Sequence, residues 1–139
     1  TTGSQTIEAS VKSRKMKLSA KEFDRAVQNA IDRIPEEIRE HLLNVTITVQ
    51  IRPSRDMLVE LGMTTDDPPL GLYEGASLLE RSVLEPSLYP DTIFIFQEPL
   101  EQMCETRAEL EREIEITVVH EIAHFLGMDE ERLTELGYD

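Results

Sequence analysis

One helix constrains what this chain can fold into. Thr106, followed three residues later by Glu109, makes a capping box, and Leu110, Ile114, Val118, Ile122 and Phe125 continue at helical spacing until Gly127 ends the run. Beside them Val119, Ala123 and Leu126 fill the remaining arc, so the second half has almost no polar face. A helix that is apolar on nearly every side lies inside its domain, and the rest of the chain has to cover it.

The 139 residues suffice for one domain with a real hydrophobic core, and no segment repeats another. The expected organisation is a polar, flexible tail over 1–17 and a single domain over 18–139. Ser19 with Glu22 forms another capping box, Leu18 staples onto Phe23, and Ala26, Val27, Ala30, Ile31 and Ile34 follow at helical spacing. Pro35 stops that helix and opens a second short one through Leu43. Val45, Ile47, Val49 and Ile51 alternate with Thr46, Thr48 and Gln50, the period of a strand with one wet face, and Pro53 ends it.

Gly62 to Gly71, with Asp66, Asp67, Pro68 and Pro69, reads as an irregular loop. Leu72-Tyr73-Glu74 then offers a short strand, and a hairpin-like excursion continues to Arg81. Ile93-Phe94-Ile95-Phe96 is continuously apolar, as a strand covered on both faces is, and belongs near the middle of a sheet. Pro99 to Cys104 reads as a short helix with Leu100 and Met103 inward, and a last helix spans Glu130 to Leu136 between Asp129 and Gly137. The fold class is α+β: a small mixed sheet packed on N-terminal helices and on the buried helix.

Hydrophobic residues at 40% and charged residues at 30% describe a globular chain. A net charge of −14 repels phosphate backbones and anionic lipid, so neither nucleic acid nor membrane is expected as a partner. Cys104 is the sole cysteine and reads as a small core residue; with no disulfide possible and no apolar leader or spanning run, the expected location is the cytoplasm.

The chemistry sits on the buried helix, where His120, Glu121 and His124 spell H-E-x-x-H. Residues four apart lie about 40° apart around a helix, so both imidazoles share one side at a distance one tetrahedral metal bridges. Glu121 projects at the edge of that side, placed to accept a proton from water without ligating the metal. Such groups on a buried helix cost free energy unless something satisfies them, and a bound cation does so.

A hydrolytic zinc site needs a third protein ligand and one position for water. Gly127 permits a reversal after the helix, and Glu130 follows three residues later. Glu130 is the first candidate, although an acid there also suits the first turn of a helix; Asp129, equally suited as an N-cap, comes next, then Glu131, Glu135, Asp139 or no protein ligand. Tyr138 either packs or folds back beside the metal to brace the site or donate to an oxyanion. Tyr73 has the same two readings, and His41 reads as a surface residue.

These residues resemble the mini-zincins, small bacterial zincin-like metallopeptidase domains. The resemblance is carried by Ala26 to Pro35, by Leu70 to Gly75 with Glu80-Arg81, and most specifically by Val118 to Gly127 with Arg132-Leu133 and Leu136-Gly137-Tyr138. It implies a mixed sheet over the active-site helix without a further C-terminal subdomain. It also implies metal ligation by His120 and His124, Glu121 as general base and a bracing role for Tyr138. The chain departs at Glu130, where the family pattern usually has aspartate, and the longer arm changes the ligand geometry.

The expected function is zinc-dependent peptide hydrolysis, with one zinc per chain on His120, His124 and Glu130 and its water deprotonated by Glu121. The expected partner is a peptide or protein substrate; composition does not define an oligomeric state. Two other readings compete: a non-enzymatic zincin-like interaction domain with a vestigial site, and a metal-dependent ribonuclease, against which the acidic charge argues.

Overall fold

The computed structural model describes residues 16–75 and 91–138. Helix α1, Ala20–Arg33, starts where the sequence places it: Ser19 Oγ accepts the Glu22 amide at 3.1 Å and the Glu22 carboxylate accepts the Ser19 amide at 3.2 Å. Phe23, Ala26, Val27 and Ala30 form its buried stripe. Pro35 then serves as N-cap of the short α2, Glu36–Arg39, and a 3-10 turn, Glu40–Leu42, leads to strand β1, Val45–Gln50.

Strand β2 spans Gly71–Glu74 and β3 spans Asp91–Phe96. The sheet order is β1-β3-β2; β3 runs parallel to β1, with Ile47 opposite Ile93, and antiparallel to β2, with Tyr73 opposite Ile93. The apolar run at 93–96 is thus the central strand. Ile93, Ile95 and Phe96 are fully buried while Phe94 is only half-buried, so the two faces are covered unequally.

The long helix α5, Arg107–Leu126, packs against β2 and β3 on one side and against α1 on another. Leu110, Ile114, Val118, Val119 and Ile122 make the centre of the core, joined by Phe23 and Ile34 from the α1 side and by Ile93 and Ile95 from the sheet. Burying an aliphatic side chain of this kind contributes roughly 1.5–3 kcal/mol. Glu111 adds a polar tie to α1: it accepts from Asn29 Nδ2 at 3.0 Å and Arg33 Nη2 at 2.6 Å. Burial pushes its pKa up, but those hydrogen bonds and the Arg33 charge outweigh burial and bring it below the ordinary value.

Several expectations change at the boundaries. A helix α3, Arg55–Leu61, stands between Ser54 and Gly62 where no element was expected; Ser54 Oγ accepts the Met57 amide and Gly62 closes it at φ 67°. The strand expected through Ile51 ends at Gln50, and Ile51 is exposed. Helix α4 spans Gln97–Met103 with Leu100 inward, but Met103 is 48% exposed. The chain turns extended at Cys104, which takes the inward place instead, and burial pushes its thiol pKa up to about 11. At the start of α5 only half of the capping box forms: Thr106 accepts the Glu109 amide, but the Glu109 carboxylate reaches past Thr106 to the Glu105 amide.

The last helix, α6, Glu130–Glu135, is capped by Asp129, and the chain then turns at Gly137 with φ 88°. Met16 and Leu18 pack against the core, while 1–15 and the excursion expected from 76 to 81 lie outside the described residues. Among the described residues no helix is long and apolar enough to cross a membrane.

Candidate active site

The last turns of α5 emerge from the core. Ile122 and Ala123 are still buried, but Phe125 and Leu126 are exposed, and the His124 side chain is 61% accessible. His120, one turn earlier, is half-buried. Helical spacing puts both rings on one side as expected, with centroids 6.2 Å apart and planes inclined at 73°. Gly127 stops the helix at φ 74°, in the left-handed region that suits glycine.

Glu121 lies between the helix and β2. Its side chain is 20% accessible, and Oε2 is 3.9 Å from His124 Nδ1. Burial raises its pKa above the ordinary carboxylate value; the charges of His124 and His120 and a hydrogen bond from the Tyr73 backbone amide oppose that shift without cancelling it. The amide is available because of the strand alternation. Phe96 donates its amide to the Leu70 carbonyl, so Leu70 and Leu72 face β3 while Gly71 and Tyr73 turn their amides outward.

Gly71 permits the close approach. A Cβ there would sit 2.6 Å from Thr117 Cγ2, 2.9 Å from the Phe94 carbonyl oxygen and 3.9 Å from Glu121 Cγ. No other residue lets β2 lie this close to α5 undisturbed. Tyr73 also meets the exposed end of α5: its ring stacks on Phe125, centroids 4.6 Å apart, and its hydroxyl donates to Asp91 Oδ2 at 2.6 Å.

The chain returns to the site from α6. Tyr138 is buried, and its main-chain carbonyl accepts a hydrogen bond from His120 Nε2. The Tyr138 hydroxyl is turned elsewhere, donating to Glu115 Oε2 at 2.5 Å. Burial and the Glu115 contact raise the phenol pKa.

Asp129 is engaged as an N-cap, its Oδ1 accepting the Arg132 amide at 2.9 Å. Glu130 is exposed in the first turn of α6, with no hydrogen bond or ion pair to its carboxylate among the described residues. Among those residues no three His, Cys, Asp or Glu side chains gather into a group able to hold a metal ion. The structure therefore brings His120, Glu121 and His124 to one helix face, and Glu130 does not join the histidines in a metal-binding group among the described residues. Asp139 lies outside the described residues, and His41 is exposed beside Glu40.

The donor chemistry still fits a divalent ion in part. Two imidazole rings lie one turn apart, His124 exposed to solvent and His120 half-buried against the Tyr138 main-chain carbonyl. Sequence reasoning did not foresee two features of this site, the close approach of α5 at Gly71 and the contact of the Tyr138 carbonyl with His120.

The sequence pattern of the zincin-like metallopeptidase family matches residues 42–138. Among solved structures, a conserved hypothetical protein from Thermo thermophilus has a similar fold: 18% of residues are identical over 84% of this chain and 98% of that one, with a TM-score of 0.54. No curated protein matches the chain significantly.

Proposed function

This chain belongs to the zincin-like metallopeptidase family, and we propose from that premise that it hydrolyses peptide bonds with one zinc ion per chain. The observation that carries the reading is the placement of Glu121, a carboxylate with raised pKa beside two imidazoles at the solvent-exposed end of an otherwise buried helix. His120 and His124 would hold the ion. Glu130 is the proposed third ligand, because its carboxylate is uncommitted where that of Asp129 is used as a cap. When bound, the zinc supplies a Lewis acid that polarises a carbonyl and makes water a stronger acid.

The rest of the work falls to the protein. Glu121 takes a proton from the attacking water and returns it to the leaving amine, a role suited to a carboxyl whose pKa is moved towards neutrality. The outer edge of β2, Gly71 to Glu74, lies next to this acid, and an extended substrate pairing along that edge brings a peptide carbonyl to the site without requiring a particular side chain. The proposed partner is accordingly a peptide or unfolded protein segment, and the net charge of −14 disfavours a nucleic-acid substrate.

The test is metal analysis at neutral pH together with Glu121→Gln. Zinc is expected at one per chain in both proteins, while peptide hydrolysis falls by about 10²–10⁴ in the variant. Undiminished turnover in the variant refutes the role of Glu121. A wild-type protein that takes up no zinc refutes the hydrolase reading and leaves the fold as an interaction domain.

A further inference from the structure

Thr117, Glu121 and Phe125 follow one another at intervals of four along α5 and so make one stripe on its surface. Strand β2 meets that stripe with alternate residues. A Cβ at Gly71 would touch Thr117 and approach Glu121, and the Tyr73 ring stacks on Phe125. Glu121 is therefore the middle member of the stripe, and its carboxylate accepts the Tyr73 amide.

Tyr73 is held from the sheet as well. Its hydroxyl donates to Asp91 Oδ2 at 2.6 Å, and Asp91 opens β3, the strand on which β2 is paired. Gly75 leaves room for that bond: a Cβ there would lie 2.5 Å from Asp91 Oδ1, 2.8 Å from Asp91 Cγ and 3.1 Å from Tyr73 Cε1. The glycines at 71 and 75 thus bracket Tyr73, one admitting the helix and the other admitting the aspartate to the phenol.

These attachments matter because β2 has four residues and stands at the edge of the sheet among the described residues. A short edge strand opens readily, and a ring fastened at two points opposes that opening at position 73. A glutamate carboxylate turns freely about its last bond unless a donor fixes it, and a misdirected base loses rate.

We propose that Tyr73 is a positioning residue: with its ring on Phe125 and its hydroxyl on Asp91, it holds its own main-chain amide against the Glu121 carboxylate and fixes the direction in which that acid faces. The consequence for hydrolysis rests on the peptidase reading; the orientation of the acid does not.

The experiment is amide hydrogen exchange at residue 73 in the full-length, metal-free protein, followed by NMR, with kcat and KM of the zinc-loaded protein measured separately. The Tyr73 amide points away from β3, so its protection reports the bond to Glu121. Protection is expected in the wild type and should vanish in Glu121→Ala. Tyr73→Phe, which removes the bond to Asp91, and Phe125→Ala, which removes the stack, should each reduce it while the amides of β3 keep theirs. In the zinc-loaded variants kcat should fall by about tenfold, the factor that the free energy of one hydrogen bond makes in a rate, with KM and zinc content unchanged. Asp91→Asn, which still offers the phenol an acceptor, should stay closer to the wild type than Asp91→Ala.

An unprotected Tyr73 amide in the wild type overturns the proposal, and so do folded variants whose amide stays as protected as before. A change confined to KM overturns it too, since Tyr73 would then serve substrate binding. Tyr73→Phe keeps the ring and its stack, so it answers even if Phe125→Ala or Asp91→Ala fails to fold. Hydrolysis with an unmoved kcat in the variants would sink the positioning role and spare the peptidase. An amide that responds in a protein that never cleaves peptides would support the orientation and sink the peptidase.

Discussion

The middle of α5 and its last turn belong to one helix but stand in opposite surroundings. From Leu110 to Val119 nearly every apolar side chain is sealed between α1 and the sheet, and the two buried acids there, Glu111 and Glu115, are fully engaged by Asn29, Arg33, Arg112 and Tyr138. From His124 onward the same helix is exposed, and Phe125 stacks on Tyr73. The sealed part keeps the helix in place; the open part presents polar groups to solvent. Glu121 sits on the border, buried enough to resist ionisation and near enough to water to exchange a proton.

The contrast breaks most visibly in the sealed part. Ile114→Ala should destabilise the fold by about 2–5 kcal/mol, read from urea unfolding, while zinc content and hydrolysis per folded molecule stay as in the wild type. An equal loss of activity per folded molecule would show that the two parts are not separable.

Gly71→Ala attacks the border. The added methyl meets Thr117 and the Phe94 carbonyl, so β2 has to move from α5, at a cost of about 1–3 kcal/mol. Hydrolysis should fall more than stability alone accounts for, because the Tyr73 amide leaves Glu121. A variant with normal turnover would mean that β2 does not position the acid.

The smallest effect sharpens the comparison through pH. Burial raises the Glu121 pKa, so the folded chain binds that proton more tightly than the unfolded chain does. Metal-free wild type should therefore lose stability as pH rises from the ordinary carboxylate value through the raised one, and the full penalty is present above it. Glu121→Gln never carries the charge. Its Tm should exceed that of metal-free wild type at neutral pH, and the difference should shrink in acid; a difference independent of pH would rule out ionisation as its cause.

Much of this was readable from residue types. Ser19 and Glu22 mark the start of α1, the run at 93–96 marks the central strand, and His120, Glu121 and His124 share a face because four residues nearly complete a turn. Helix α3 escaped because Leu58 is its only buried residue and the apolar run Met57, Leu58, Val59 and Leu61 is too short to display a period; only Ser54 and Gly62 signalled it. The contacts of Arg112 and Glu115 with Gly137 and Tyr138 escaped for another reason. Arg112 and Glu115 look like an ordinary surface pair three residues apart, and the group that meets His120 is a main-chain carbonyl, which no side-chain pattern encodes. The direction of the Tyr138 hydroxyl likewise depends on where Glu115 is buried, a property of packing.

The bonds that frame His120 join residues 18, 23 and 25 apart in the chain, whereas those that dock α1 and the segment before it join residues 78 to 83 apart. Closing the shorter loops costs roughly 1.2 kcal/mol less entropy than closing the longer ones. The framework around His120 thus assembles from neighbouring sequence, whereas the core that covers it comes from far along the polypeptide.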